Sequence, residues 1–311
     1  MPDTIVEGGR GRRIARLVQE ACIREVCAPK PGNVNREHDF RDATLEEYLV
    51  SAVAIGPAFE DGPRLGVGQI VLRAVRESRA RVRSNTNLGL VLLLAPLAKA
   101  AAAAPAVPES GGLPGSGRVR ESLRGVLRSL TVEDARLVYE AIRLALPGAM
   151  GRVPSEDVAG TPSVTLLEAM EMAEGRDSVA KEYATDFEIV YGTGLPALGE
   201  SLVRGGGGAL AAVEAFLAIL GRVPDTLIAR KKGMEAARGV SRQAREVVAC
   251  GGTRTPRGRR LLAELDALLR SDSNGLNPGT TADLTAAALF LALLDAEAPG
   301  AAAPRAEEES G

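Results

Sequence analysis

The chain has 311 residues, of which 45% are hydrophobic and 25% are charged, and its formal net charge is −2 at pH 7. A charge this close to zero argues against a nucleic-acid-binding protein, and three cysteines without metal-ligand spacing argue against a disulfide framework. The single histidine leaves no His-rich zinc site and no credible Cys–His or Ser–His–Asp arrangement.

Helical periodicity dominates the chain, and the strict alternation typical of a β-strand is nearly absent. Apolar spacing predicts helices at about 12–27, 44–57, 68–83, 88–103, 131–146, 163–174, 178–191, 210–220, 225–250, 258–269 and 280–294. Thr44 and Glu47 form a Thr-x-x-Glu capping box at the start of the second helix. Residues 105–117 are predicted to form a surface loop, and residues 205–208 a turn.

These elements predict an all-α fold, a single large multi-helix domain over residues 10–296 with a buried central helix core. Residues 297–311 are predicted to be a disordered tail, because they offer few apolar anchors. The apolar run 88–98 is too short to cross a bilayer and contains Pro96. We therefore expect a cytoplasmic protein without a membrane or nucleic-acid partner, which could form a homo-oligomer.

The last predicted helix begins at a polar turn. Asn277 and Gly279 flank Pro278 in this turn, Thr280 or Thr281 can cap the helix, and Asp283 lies in its first turn. Free N–H groups, a hydroxyl and a carboxylate at one helix end suit phosphate, or a metal held beside phosphate. The alternative is an ordinary, well-capped core helix.

A related junction follows the first helix, where Lys30 lies between two prolines and precedes Gly32 and Asn33. Lysine is scarce in this arginine-rich chain, and its ammonium is a point charge suited to phosphate. We expect Lys30 to bind phosphate from the turn and to contribute little to folding; an exposed turn lysine is the alternative.

Two more junctions share the pattern. Asn85, Thr86 and Asn87 precede the apolar helix at 88, which is more polar side chains than a cap requires. Asp225 lies at the start of another helix, with Arg230 and Lys231 within about two turns of it. Each of these junctions could equally be a simple cap.

Four blocks occur in the same order in the triphosphoribosyl-dephospho-CoA synthase family, which the chain resembles from about residue 21 to residue 294. They are KPGNV (residues 30–34), NTNLG (85–89), PDTLIARK (224–231) and NPGTTAD (277–283). The best-known members have His and Lys within the second block, where this chain has Asn87 and Leu88, and an Asp where it has Asn35. The chain more closely resembles a divergent, largely archaeal-type branch, which also has an Asp-Phe pair, here Asp39-Phe40.

The resemblance implies an all-helical transferase that moves the triphosphoribosyl group of ATP to 3′-dephospho-CoA and releases adenine. The product is a precursor of the prosthetic group of decarboxylase acyl carriers. Two alternatives remain open: another nucleotide or phosphoribosyl transfer in cofactor biosynthesis on the same scaffold, and a non-catalytic nucleotide-binding helical protein.

Such a reaction needs phosphate ligands, Mg²⁺ and carboxylates near the ribose. The expected nucleotide-binding residues are Lys30, Gly32, Asn33, Asn85, Thr86, Asn87, Gly89, Arg230, Lys231, Asn277, Gly279, Thr280 and Thr281. Asp225 and Asp283 are the expected metal ligands, because a carboxylate at a helix N terminus should keep a low pKa and stay ionised. Asp39, Asp42 and Asp177 are the candidate catalytic carboxylates, with helix capping or a solvated loop as the alternative.

Overall fold

The computed structural model describes residues 2–84, 87–105, 113–145, 160–271 and 274–298. Within these ranges every extended regular element is a helix. The α-helices are α1 (Pro2–Cys27), α2 (Leu45–Ala54), α3 (Gly56–Glu60), α4 (Val67–Arg79), α5 (Leu88–Ala103), α6 (Ser116–Arg128), α7 (Val132–Ala145), α8 (Leu166–Ala173), α9 (Ser178–Ala184), α10 (Leu195–Val203), α11 (Gly208–Arg222), α12 (Thr226–Lys232), α13 (Met234–Ala249), α14 (Pro256–Arg270) and α15 (Gly279–Glu297). Short 3₁₀-helices occur at Gly62–Arg64 and Gly252–Arg254, and a short π-helix occurs at Val190–Gly194. The predicted all-α single domain is confirmed.

The centre of the fold consists of α5 and α15, which pack against each other. Both helices are apolar on nearly every side, a composition that only a core position can bury. Leu93 and Leu94 of α5 and Phe290 and Leu291 of α15 are fully buried. Helices α1, α10 and α11 also pack against α15. The predicted central helix core is therefore present.

Helix α15 also has the length and hydropathy of a membrane span, the only such case in the described part of the chain. However, 61% of that stretch is buried inside the fold. The core helix of a folded domain passes the same length and composition test, so this property is explained by the position of α15 between its neighbouring helices.

Local signals placed several helix ends correctly. The Thr44 side chain accepts a hydrogen bond from Glu47 N, and the Glu47 carboxylate accepts one from Thr44 N, both at 3.3 Å. This reciprocal pair is the predicted capping box, and α2 begins directly after it. The boundaries of α5 also agree with the predicted helix.

Two predicted helices are broken in the structure. The one expected over 225–250 divides into α12 and α13 at Gly233, whose φ of 88° is outside the helical region. The one expected over 178–191 stops at Ala184, because Asp186 and Phe187 have positive φ values of 51° and 62°. Both wrong predictions come from apolar spacing that continues across a change in backbone direction.

The turn after α9 is held by Glu182, a fully buried carboxylate. It accepts hydrogen bonds from Ile189 N at 2.8 Å and Val190 N at 3.0 Å. Burial raises the pKa of Glu182 to about 7, although these two hydrogen bonds oppose the shift. The carboxylate thus satisfies two N–H groups that a continuous helix would otherwise have paired.

Sequence reasoning missed α6 and α10. In α6 the buried residues Val119, Leu123 and Leu127 are spaced at helical intervals, but several arginines surround them. The α10 segment contains Pro196 and Gly199, both of which weaken the sequence signal for a helix. Of the predicted loop 105–117, residues 106–112 lie outside the described residues and Ser116 begins α6.

The predicted domain limits are only partly covered by the structure. Helix α1 starts at Pro2, before the predicted boundary at residue 10, and α15 includes Glu297, the first residue of the predicted tail. Residues 299–311 lie outside the described part of the chain. The limits 10–296 and 297–311 therefore stay predictions.

Candidate functional site

The N termini of α9, α12 and α15 meet, although they are far apart in sequence. Ser178 N donates a hydrogen bond to Thr226 Oγ1 at 3.2 Å, and Thr226 Oγ1 lies 3.3 Å from Thr280 Oγ1. Asp177 caps α9 by accepting from Val179 N at 2.8 Å. Three helix ends therefore direct their positive dipoles toward one region.

Asp225 connects two of these helix ends through both carboxylate oxygens. Oδ1 accepts from Leu227 N at 2.9 Å and Ile228 N at 3.0 Å, which caps α12. Oδ2 accepts from the N and Oγ1 of Thr281, each at 2.8 Å, which fastens α15 to α12. All four donors come from the protein, so this geometry leaves no oxygen of Asp225 for a metal ion. Its expected role as a metal ligand is not supported here.

Asp283 instead faces the start of α5. A Cβ atom added to Gly89 would lie 2.7 Å from Asp283 Cγ, so a glycine is required for this approach. The Leu90 N–H donates a hydrogen bond to the Asp283 carboxylate. The N terminus of α5 is therefore the fourth helix N terminus at this point. We call the region around Asp283, Asp225, Asp177 and Gly89 the junction site.

The expected low pKa of these two carboxylates is wrong. Burial raises the pKa of Asp225, and its four hydrogen bonds only oppose this. Burial raises the pKa of Asp283 well above its usual value, and the nearby carboxylates of Glu25, Asp225 and Asp177 raise it further. Removal from water and repulsion between like charges outweigh the helix dipole here.

Lys30 is fully buried rather than exposed in a turn. Its ammonium pairs with Glu25 Oε1 at 2.9 Å and also donates to the main-chain oxygen of Glu25. Burial raises the pKa of Glu25, whereas Lys30 lowers it. The expectation that Lys30 contributes little to folding is therefore wrong, because a buried ion pair is costly to break.

Glu25 and Tyr48 are site residues that sequence reasoning missed. Glu25 is 4% exposed and close enough to raise the pKa of Asp283. Burial raises the pKa of the Tyr48 phenol, and Glu25 and Asp283 raise it further. A signal for Glu25 existed, since this charged residue follows Ala21 and Cys22 by one helical turn on the buried face of α1.

Two buried amide atoms at the helix ends lack partners among the described residues. These atoms are Nδ2 of Asn87, which is 7% exposed and precedes α5, and Oδ1 of Asn277, which precedes α15. An unpaired buried donor or acceptor is unfavourable unless a water or ligand satisfies it. Both atoms are therefore suited to contact a ligand. Asn85 and Thr86 lie outside the described residues.

Glycines and threonines shape the approach to the site. A Cβ atom on Gly279 would lie 2.6 Å from the Leu227 side chain, so Gly279 allows α12 and α15 to meet. Thr281 is committed to Asp225, whereas Thr280 is partly exposed and contacts Thr226.

The predicted start of α15 is wrong. The helix begins at Gly279, so Thr280 and Thr281 lie inside it and neither caps it. Asp283 is the fifth residue of α15 and lies beyond its first turn.

Other predicted residues hold loops in place. Gly32 has a φ of 72°, and its N–H donates to Asp266 Oδ1 at 2.7 Å. Arg270 donates to the Asn33 main-chain oxygen at 2.9 Å. Both contacts fasten the Lys30 loop to α14, and none of them joins the junction site.

Asp39, Asp42, Arg230 and Lys231 lie at the surface. Asp39 Oδ1 accepts from Leu45 N at 2.6 Å, so it supports the start of α2. Lys231 donates to the main-chain oxygen of Asn274 at 3.2 Å, and Asn274 Nδ2 is 3.5 Å from Asp42 Oδ1. No described hydrogen bond or ion pair links these four residues to Asp283. Their catalytic and binding roles stay predictions.

Comparisons with known proteins agree with one another. Residues 11–301 match the family model described as ATP:dephospho-CoA triphosphoribosyl transferase. A relative from Pseudomonas fluorescens is 29% identical over 297 residues, 90% of each chain, and one from Stutzerimonas stutzeri is 30% identical over 311 residues, 94% of each chain. Both carry the name "Probable 2-(5''-triphosphoribosyl)-3'-dephosphocoenzyme-A synthase".

A crystal structure is also similar. It comes from Archaeoglobus fulgidus, is described as a triphosphoribosyl-dephospho-CoA synthase, and is 32% identical to this chain. The match has a TM-score of 0.60 and covers 80% of this chain and 100% of the other. Because bacterial and archaeal proteins match at similar identity, assignment to an archaeal-type branch stays a prediction.

Proposed function

The chain belongs to the ATP:dephospho-CoA triphosphoribosyl transferase family, and from this membership we propose where its reaction takes place. The protein is a transferase whose family reaction moves the triphosphoribosyl group of ATP to 3′-dephospho-CoA and releases adenine. We place the reaction at the junction site. The observation that carries this proposal is the approach of Asp283 to Gly89, which joins two of the four family blocks in space.

The ends of α5 and α15 suit the triphosphate. Leu90 N already donates to Asp283 and Thr281 N to Asp225, so the donors offered to a ligand are the remaining first-turn groups, Gly89 N and Thr280 N. Both helices are long enough to have a substantial dipole. Asn87 Nδ2 is an additional donor without a described partner, and Thr280 supplies a hydroxyl. These neutral donors bind phosphate oxygens without requiring Lys30, whose charge is already neutralised by Glu25.

The same residues fit a magnesium ion in part. Asp283 is a carboxylate surrounded by other carboxylates, and Asn277 Oδ1 is an unpaired oxygen, both of which a hard cation favours. The described residues contain no group of three or more His, Cys, Asp or Glu side chains placed to hold a metal. Phosphate oxygens and water would complete the coordination, as is usual for Mg²⁺ with nucleotides. When bound, the ion would neutralise phosphate charge.

Carboxylates at the site also suit the ribose chemistry. Loss of adenine leaves positive charge on the sugar, and a nearby carboxylate stabilises that charge. Asp177 uses only Oδ1 for its capping hydrogen bonds. It is also close enough to raise the pKa of Asp283. We assign its other oxygen to the acceptor hydroxyl, whose proton it would accept during transfer.

Adenine release tests the proposal directly. ATP should yield adenine in the presence of 3′-dephospho-CoA and Mg²⁺, and mass spectrometry should show the acceptor gaining a triphosphoribosyl group. Adenine release that requires a different acceptor would favour another phosphoribosyl transfer. Tight ATP binding without any adenine release would favour a non-catalytic nucleotide-binding protein.

Asp283→Asn tests the proposed metal role. The variant should fold at least as stably as the parent, because it removes one of several mutually repelling carboxylates. Its apparent Mg²⁺ affinity should fall about 10–100-fold, measured as adenine release against Mg²⁺ concentration. An unchanged magnesium titration would remove Asp283 from the metal site.

Cytoplasmic location and homo-oligomer formation are further proposals, the second measurable by light scattering.

A further inference from the structure

A cavity of about 380 Å³ lies at the C-terminal end of α1, outside the junction site. Arg24 and Cys27 of α1, Arg36 and Glu37 of the following loop, and Gly208 at the start of α11 contribute to its lining. This volume is within the usual range for small-molecule sites. We call it the α1–α11 cavity.

The α1–α11 cavity and the junction site lie on different faces of α1. Successive helical residues are separated by roughly 100° around the axis, so Cys27 points roughly 200° away from Glu25. Glu25 is buried and interacts electrostatically with Asp283, whereas Cys27 lines the cavity. A ligand in the cavity therefore contacts a surface that the proposed reaction does not use.

The lining carries groups that bind phosphate. Arg36 is exposed and has no ion pair among the described residues, and Arg24 is paired at 2.7 Å with Glu20. A Cβ atom on Gly208 would lie 3.1 Å from Arg24 Nη1, so glycine keeps the α11 backbone open to that guanidinium. Arg24 Nε and Nη2 both bind Glu20 Oε1, at 2.8 and 2.7 Å, so Arg24 offers the cavity its Nη1 group. Arg36 is the guanidinium that can bind phosphate oxygens in a bidentate manner.

The rest of the lining suits a nucleoside rather than a bare anion. Glu37 adds a carboxylate, which would repel inorganic pyrophosphate but can accept hydrogen bonds from ribose hydroxyls. Pro29, Cys27 and Ala209 supply apolar surface for a base. We propose that the α1–α11 cavity is a second ligand site, which binds a nucleoside diphosphate. The ligand is a free nucleotide, because the hydroxyl of 3′-dephospho-CoA that accepts the triphosphoribosyl group belongs to its ADP portion and has to lie at the junction site.

Cys27 offers a way to localise the ligand. Its thiol is partly buried within the cavity lining, whereas Cys250, at the C-terminal end of α13, is partly buried outside it. In the full-length protein, ADP should slow alkylation of Cys27 by N-ethylmaleimide and leave alkylation of Cys250 unchanged, as measured by peptide mass spectrometry. Inorganic pyrophosphate should protect less than ADP, and adenosine less still.

Arg36→Ala should weaken this protection by at least about tenfold in ligand concentration, because it removes a charged phosphate contact. Arg41→Ala removes the same charge from the same loop, outside the lining, and should have little effect. Asp283→Asn should also leave Cys27 protection unchanged, which separates the cavity from the junction site. Arg36→Lys should restore part of the protection.

The kinetics of adenine release distinguish this site from the acceptor site. Arg36→Ala should lose ADP protection of Cys27 and keep the KM values of the parent for ATP and 3′-dephospho-CoA. A raised KM for 3′-dephospho-CoA would overturn the proposal, because it would place the acceptor in the cavity. Cys27 alkylation that no nucleotide slows, or protection equal in Arg36→Ala and the parent, would overturn the proposal. If ADP protects Cys27 in a protein that releases no adenine, the proposed second site would stand and the proposed reaction would be refuted.

Discussion

Gly89→Ala should disturb the contact between α5 and α15 while changing little else. In most helices this substitution stabilises the fold by up to about 1 kcal/mol, because alanine has the higher helix propensity. At Gly89 the new Cβ would lie 2.7 Å from Asp283 Cγ and nearer still to Oδ2. The carboxylate must move, and forced repacking of this kind typically costs about 1–3 kcal/mol. The two effects oppose each other, so the net change in stability should be between about zero and 3 kcal/mol of destabilisation.

Gly125→Ala is the matched control, because Gly125 lies within α6 and a Cβ there would meet nothing within 4 Å. Urea unfolding should show Gly125→Ala stabilised by up to about 1 kcal/mol, with unchanged adenine release. Gly89→Ala should lose that stabilisation, and its adenine release should fall because Asp283 is displaced. Equal stabilisation in both variants, together with full activity in Gly89→Ala, would refute the close approach of Asp283 to α5.

The remaining predictions concern the buried charges. Lys30→Met should destabilise the fold by about 3–5 kcal/mol, because it leaves Glu25 buried without its partner; urea unfolding measures this, and an unchanged midpoint would contradict it. Asp225→Asn should cost about 1–3 kcal/mol, since an amide cannot accept from all four donors, and its Mg²⁺ requirement should stay that of the parent. The pKa of Glu182 is raised from 4.5 to about 7, so the folded state binds more protons than the unfolded state in that window. Its contribution to stability is present below about pH 4.5 and should fall by about 3 kcal/mol as the pH rises through 7; Glu182→Gln should lack this part of the pH dependence, and parallel stability–pH curves would contradict the assignment.

Sequence patterns predicted the elements whose cause is local. The α2 capping box depends on Thr44 and Glu47 alone, and the boundaries of α5 follow from an apolar run between polar residues and a proline-rich segment. The break at Gly233 had a local signal, a glycine after a basic last turn, which the apolar spacing across it concealed. The positive φ values at Asp186 and Phe187 occur at non-glycine residues, and periodicity does not reveal them. Apolar spacing predicts that a segment is helical better than it predicts where the backbone turns.

The sequence predicted which segments form the junction site, but it did not predict what each residue does there. The order of the four blocks brought attention to Asp225 and Asp283, and the structure places both at converging helix ends. The role of each residue depends on its burial. Lys30 is expected from the sequence to bind phosphate from a turn, yet it is buried, and the partner that neutralises it, Glu25, lies in a helix outside every block. Such a pairing depends on which face of α1 the loop returns to, and no local pattern contains that information.

Asp177 and Asp225 are N-cap residues, and Asp283 is the fifth residue of α15. These three carboxylates differ in how many of their oxygens the fold already uses. Asp225 accepts four hydrogen bonds through both oxygens, and Asp177 accepts two through Oδ1 alone. Asp283 accepts from Leu90 N and lies among like charges. A lone pair that holds the backbone is not available to a ligand, so capping and ligand binding compete for each oxygen. The sequence left two interpretations open for all three carboxylates, helix capping and ligand binding. The structure now allows a separate choice between them for each residue. Asp225 acts as the structural clamp, and the unfavourable charge at Asp283 makes it the carboxylate that a bound cation would stabilise most.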